Sequence, residues 1–181
     1  MVLLARFDLI EYDFDHDMLV SVSTGLDAHL ERVAQYAHDE DADTWDVLHD
    51  MDNTVGLGFT AAQTYLTSVS RALRMKRTDA ISRGPKHSGG FTIAQIVNEA
   101  ANFWKHRDEW AEEPTEGSRD KRRARTIEVL VAVGVELNAD YPLSKLLEKL
   151  KITMVRDIAG ALIPWRDNLW RTRGSYTHDE K

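Results

Sequence analysis

The chain has 181 residues, 43% hydrophobic and 29% charged, with a formal net charge of −7 and no cysteine. That length suits one domain able to bury about two-thirds of its unfolded surface, and the composition excludes a disordered chain. Disulfides and cysteine chemistry are excluded, and no stretch nears the ~18 uninterrupted apolar residues of a membrane span.

The opening RFDLIEYDF alternates apolar and charged residues only from Phe7 to Leu9. It predicts a short strand or docking arm over residues 1–16, since one strand without a partner makes no sheet. Its apolar run is too short for a signal peptide, so a cytoplasmic address is the expectation. From Asp17 onward, Met18, Val22, Leu26, Leu30, Val33 and Ala37 trace one helical stripe. A second helix opens near Asp43 or Thr44 and runs to about Lys76, burying Val55, Phe59, Ala62, Leu66, Val69 and Leu73. Gly56 and Gly58 each cost it roughly 1 kcal/mol of propensity, which points to close packing or a kink.

TDAISRGPKHSGG is a break, because Gly84-Pro85 and Gly89-Gly90 do not continue a helix. Thr92 and Gln95 then form a capping-box pattern for a third helix, whose apolar face is Ile93, Ile96, Val97, Ala100, Phe103 and Trp104. After the surface loop AEEPTEGSRD a fourth helix begins between Ser118 and Lys121 and buries Ile127, Leu130 and Val131. DYPLSKLLEKL reads as a short helix with Pro142 in its first turn, and TMVRDIAGALIPW as another halted by Pro164. Residues Arg171 to Lys181 have little to bury and are expected to fray. The fold class is all-α: a single domain over 1–181, a bundle of about five to six helices.

Charge is segregated along this bundle. Residues 1–70 carry two bases against fourteen acids, and residues 71–125 carry thirteen bases against eight acids. Either the halves attract each other, the commoner outcome, or the middle of the chain steers a polyanion.

NEAANFWKHRDEW, from Asn98 to Trp110, concentrates the residues that carry chemistry. Glu99, Asn102 and His106 share one helical stripe at spacings of three and four. Histidine titrates near neutrality and is the usual general base or acid, asparagine can orient it, and Lys105 and Arg107 add positive charge suited to a phosphodiester. The plainer alternative makes Trp104 and Trp110 core or interface aromatics and His106 a half-exposed helix residue.

AANFWKHRDEW resembles the motif segment of the HEPN superfamily, the higher eukaryotes and prokaryotes nucleotide-binding domains. That family's signature is an arginine, commonly followed by a polar residue, with a histidine five positions after the arginine. Asn102 takes the polar position and His106 the histidine, whereas Ala101 stands where the arginine is expected and Asp108 where a tyrosine is common. The resemblance implies a helical bundle, a homodimer, and a metal-independent ribonuclease or RNA-binding protein of a toxin–antitoxin or defence system. It assigns His106 as general base, Asn102 as orienting residue, and Lys105 or Arg107 as phosphate contact. Loss of one charge-stabilising donor costs about 100- to 1,000-fold in rate. Unless Lys105 and Arg107 take over from the missing arginine, binding without efficient cleavage is therefore implied.

SRDKRRARTIE places Lys121, Arg122, Arg123 and Arg125 at the start of a helix, where the macrodipole is already positive. A phosphate backbone would be favoured there by dipole and bases together; the alternative is pairing with the acids of AEEPTE or of the N-terminal half. Arg71, Arg74, Lys76 and Arg77, closing the second helix, suit its negative end and need no ligand. In HDEDADTWDVLHDMD, Asp39, Asp43, Asp46 and Asp50 share a stripe and Asp46 with His49 could begin a metal site, but an acidic solvated turn is the expected outcome. Walker, dinucleotide and nucleophile-elbow motifs are absent, so no cofactor and no metal are expected. Two function classes remain: an RNA-directed protein with a cognate antitoxin partner, and a non-catalytic helical interaction or dimerisation module.

Overall fold

The computed structural model describes residues 4–7, 10–37, 43–87, 89–111 and 118–174. It begins with a hairpin rather than a lone arm. β1 (Leu4–Phe7) pairs antiparallel with β2 (Ile10–Asp13), Leu4 opposite Asp13 and Phe7 opposite Ile10. Asp13 ends the ribbon and caps the next element, its carboxylate accepting from the His16 N–H at 3.0 Å. The helices are α1 (Phe14–Tyr36), α2 (Thr44–Ala72), α3 (Arg77–Ile81), α4 (Ile93–Ala111), α5 (Ser118–Ala132), α6 (Pro142–Leu150) and α7 (Asp157–Gly174). The fold is an all-α bundle, and the short α3 is the helix that the sequence pattern passes over. No described helix is long and apolar enough to cross a membrane.

α2 is the central rod and packs against α1, α3, α4, α6 and α7. Its two glycines are sites of close approach, as expected. A Cβ on Gly56 would stand 2.0 Å from Trp104 Cδ1, and one on Gly58 would stand 2.2 Å from Val155 Cγ1. The Trp104 indole of α4 therefore lies against bare α2 backbone, and Trp104 is a packing aromatic. The capping box of α4 is present in both directions: Gln95 N–H donates to Thr92 Oγ1 at 3.1 Å, and Thr92 N–H donates to Gln95 Oε1 at 3.0 Å.

α1 departs from expectation. Its buried residues are Asp15, Leu19, Ser23 and Asp27, while Met18 and Val22 of the apolar stripe are 60% and 47% exposed. The reason is long-range. The Asp27 carboxylate accepts from the N–H groups of Val155 at 2.7 Å and Arg156 at 3.2 Å, just ahead of α7. A buried carboxylate needs such donors, and periodicity within one helix cannot reveal them. Asp52 does the same for α6, accepting from Leu143 N–H at 3.0 Å and Ser144 N–H at 2.8 Å. Asp13 accepts from the Tyr65 hydroxyl at 2.7 Å and from Arg166 at 3.2 Å.

These three aspartates also explain part of the charge segregation. Asp13, Asp27 and Asp52 face Arg166, Arg156 and Arg107 at 3.2, 3.9 and 3.6 Å. The acidic half thus holds the later helices by their backbone donors and by charge.

α7 is not halted by Pro164 but runs through it. An internal proline costs ~3 kcal/mol or more. Trp165, fully buried, donates from Nε1 to Ala80 O at 2.9 Å, and Leu162 and Leu169 are also sealed, so tertiary packing outweighs the break. In α5, Val129 and Leu130 are buried whereas Val131 is 54% exposed, a one-position rotation from the expected face. Arg171 to Gly174 continue α7, and the rest of the expected fraying tail lies outside the described residues.

Candidate nucleic-acid interface

α4 presents Gln95, Asn98, Glu99, Asn102 and His106 along one side, at spacings of three and four. α5 lies beside α4 and turns Lys121, Arg122, Arg125 and Thr126 to the same space. Together with Arg77 of α3 they enclose a groove of about 540 Å³. The expected stripe of Glu99, Asn102 and His106 is therefore one wall, and three of the four clustered bases of α5 form another.

Beneath the groove lies a polar network. Glu99, 8% exposed, accepts from Asn98 Nδ2 at 2.8 Å, Asn102 Nδ2 at 3.0 Å and Thr126 Oγ1 at 2.7 Å. Gln63 of α2 donates from Nε2 to Asn98 Oδ1 at 3.0 Å and Asn102 Oδ1 at 2.9 Å, and accepts from Lys105 Nζ at 2.6 Å. Asn102 is thus fixed at both ends of its amide, which sets the floor on which His106 stands. Loss of solvent, then the nearby Arg77 guanidinium, lowers the Lys105 pKa from its ordinary value, with Glu99 acting in the opposite sense.

The His106 side chain is 45% exposed, and its Nδ1 lies 3.2 Å from Glu109 Oε2. With the proton on Nδ1 donated to that carboxylate, Nε2 carries the lone pair, the tautomer a general base requires. Ala101, at the position of the resembled family's arginine, is fully buried in the core. Positive charge reaches the groove instead from α3 and α5. Arg125 is held by Glu128 at 2.9 Å and lies over the Phe91 ring at 4.7 Å. Among the described residues, Arg77, Lys121 and Arg122 have no ion-pair partner.

Three expected contacts lie elsewhere. Lys105 turns towards α2 and Gln63. Arg107 faces another side of α4, 3.6 Å from Asp52 Oδ2 and 3.7 Å from Asp108. Arg123 turns with it into a second cavity, also about 540 Å³, whose lining includes Trp45, His49 and Tyr141. Arg107 and Arg123 thus line a different cavity from their sequence neighbours His106 and Arg122, the step of ~100° around each helix having carried these two past the edge of the groove. The side chain of Trp110 and the acids of AEEPTE lie outside the described residues.

The acidic segment divides similarly. Asp43 caps α2 through the Trp45 N–H at 2.8 Å. Asp50 accepts from or faces His29 at 3.0 Å, and Asp46 lines the same hollow, whereas His49 stacks edge-on with Trp45. Asp46 and His49 therefore diverge, and among the described residues no group of three metal-ligating side chains converges. Asp39 lies outside the described residues.

Sequence reasoning missed Arg77, Gln63 and Thr126. Arg77 reads as the basic end of α2, but α2 stops at Ala72, and Arg74 at φ 53° turns the chain so that α3 delivers Arg77 to the groove. Gln63 and Thr126 sit within apolar helical faces, where only their contact with Glu99 and Asn102 distinguishes them. No protein family, curated protein or solved structure matches the chain.

Proposed function

We propose that the chain is an RNA-directed protein of HEPN-like type, acting in a toxin–antitoxin or defence setting, with the α4–α5 groove as its RNA site. One observation carries the reading: Arg77, Lys121 and Arg122 gather without ion-pair partners among the described residues, around a solvent-accessible imidazole. Like charges held together repel one another, and a polyanion relieves that repulsion by displacing counterions.

The chemistry follows from the groove's lining. A phosphodiester seated against Arg77 and Arg122 would bring a ribose 2′-hydroxyl towards His106. Nε2 removes the 2′ proton, the 2′-oxygen bonds to phosphorus, and the bond to the 5′-oxygen breaks, with solvent returning a proton to the leaving oxygen. Glu109 stabilises the imidazolium that forms. Asn102 keeps the floor rigid, and the cations of α3 and α5 serve where the resembled family uses an arginine at the position of Ala101.

The test is incubation of purified protein with total RNA in a chelator, beside His106→Ala. The expected result is cleavage that falls about 100- to 10,000-fold in the variant while RNA binding persists. RNA binding without cleavage by either protein reduces the role to binding. No RNA binding at all refutes the groove.

A second reading, a helical dimerisation module, is favoured by the outward apolar face of Met18 and Val22 on α1, 60% and 47% exposed. A second copy of the chain, the homodimer that the resemblance implies, would cover it. Sedimentation of Val22→Asp as monomer and of the parent as dimer supports that reading, and identical sedimentation contradicts it.

A further inference from the structure

The second cavity differs in kind from the groove. Trp45, His49 and Tyr141 meet edge-to-face there, with ring centroids 4.7, 5.8 and 5.7 Å apart. Trp45 is 54% exposed, so its ring is presented to solvent beside the opening. Phe103, Ile127 and Leu137 supply an apolar base. Tyr141 holds a left-handed backbone at φ 58° and ψ 54°, a conformation disfavoured for a bulky residue, and it is this turn that carries its ring to the cavity.

The charges here nearly cancel. Asp52 is committed to the first turn of α6 and to Arg107. What remains is Arg123, without an ion-pair partner among the described residues, with Asn138 and Asp140 in the same lining and the exposed Asp108 at its rim beside Arg107. A lining of aromatic edges, one cation and carboxylate or amide acceptors suits a flat, neutral, hydrogen-bonding ring better than a bare anion.

We infer that this cavity is a nucleobase subsite: the base stacks at Trp45 and Tyr141, Asn138 and Asp140 accept from its exocyclic amine, and Arg123 meets the attached phosphate. Adenine, cytosine and guanine carry that amine; uracil does not. The inference deepens the RNA reading and rests on it for the strand as the source. Arg122 and Arg123 are consecutive on α5 and diverge into groove and cavity, so the two sites lie within roughly the ~10–12 Å width of one helix. A single strand crossing α5 would then place its backbone in the groove and one base in the cavity. A free mononucleotide offers the same chemistry without a strand.

Equilibrium binding of oligoadenylate, oligouridylate, inorganic polyphosphate and AMP to the full chain, Trp45→Ala and Arg123→Ala separates these possibilities. Oligoadenylate is expected to bind more tightly than oligouridylate or polyphosphate. Trp45→Ala should weaken it roughly 5- to 150-fold, the range for loss of one stacked base, and leave polyphosphate binding unchanged. Arg123→Ala should reduce the same preference and tests the subsite independently of the tryptophan. Equal binding of all three polymers, unaltered in both variants, overturns the subsite and leaves the backbone groove standing. AMP that quenches Trp45 fluorescence while no polymer binds supports the subsite as a free-nucleotide site and refutes the RNA reading. No binding by any probe overturns both.

Discussion

The two cavities beside α4 and α5 have the same volume, about 540 Å³, and nearly opposite chemistry. In the groove, three cations stand without ion-pair partners among the described residues and the one carboxylate, Glu99, is enclosed by neutral donors. In the aromatic cavity, Arg107 is matched to Asp52 and the walls are rings. The difference arises from single steps along a helix: His106 and Arg107, Arg122 and Arg123 are sequence neighbours on different sides. A run of bases is therefore not one patch. Its parts acquire separate roles once helical geometry divides them.

Perturbing each side separately tests that division. The largest effect is expected from Asp52→Ala, which removes the cap of α6 and the buried partner of the half-buried Arg107, leaving it only the exposed Asp108 as a carboxylate. A loss of about 3–5 kcal/mol in urea denaturation is expected, with AMP binding impaired and polyphosphate binding retained. Unchanged stability would remove Asp52 as the support of the aromatic side. Glu99→Gln acts on the groove instead. It turns an amide donor towards groups that already donate, which should cost about 1–3 kcal/mol and spare AMP binding. A smaller, sharper contrast comes from the neighbouring arginines. Arg122→Ala should weaken polyphosphate binding, whereas Arg123→Ala should not, and equal losses would merge the two sites into one.

The smallest effect concerns the frame common to both. Burial, then the hydrogen bond to Asp13, raises the Tyr65 pKa well above its ordinary 10.0. Above that pH an unfolded Tyr65 releases its proton and the folded one keeps it, so stability falls as pH rises. Tyr65→Phe should lose about 1 kcal/mol at neutral pH and show a shallower decline in alkali, measured by urea midpoints across pH 9–11.

The legible parts of the fold are those decided locally. The Thr92–Gln95 capping box, the close approach at Gly56 and Gly58, and the Glu99–Asn102–His106 stripe all follow from spacing within one helix. What spacing could not yield is set by distant partners. Asp27 and Asp52 are buried because they cap α7 and α6 from over 90 residues away, as Asp52 and Leu143 differ by 91 positions and Asp27 and Val155 by 128. Pro164 is tolerated because Trp165 docks on Ala80. The aromatic cavity unites Trp45 with Tyr141, two residues that nothing in the sequence connects. Half of the candidate site was therefore readable from α4 alone, and the other half required the packing of α3 and α5 against it.

The most direct measurement of the central claim is the salt dependence of oligoribonucleotide affinity for the parent chain and for Lys121→Ala/Arg122→Ala. Each phosphate contact on a single strand contributes about 0.7 to the slope of log K against log salt. A slope about 1.4 shallower in the double variant, with weaker binding at low salt, is the result predicted. An identical slope and affinity in the two proteins would contradict the α4–α5 groove as the site that holds the RNA backbone.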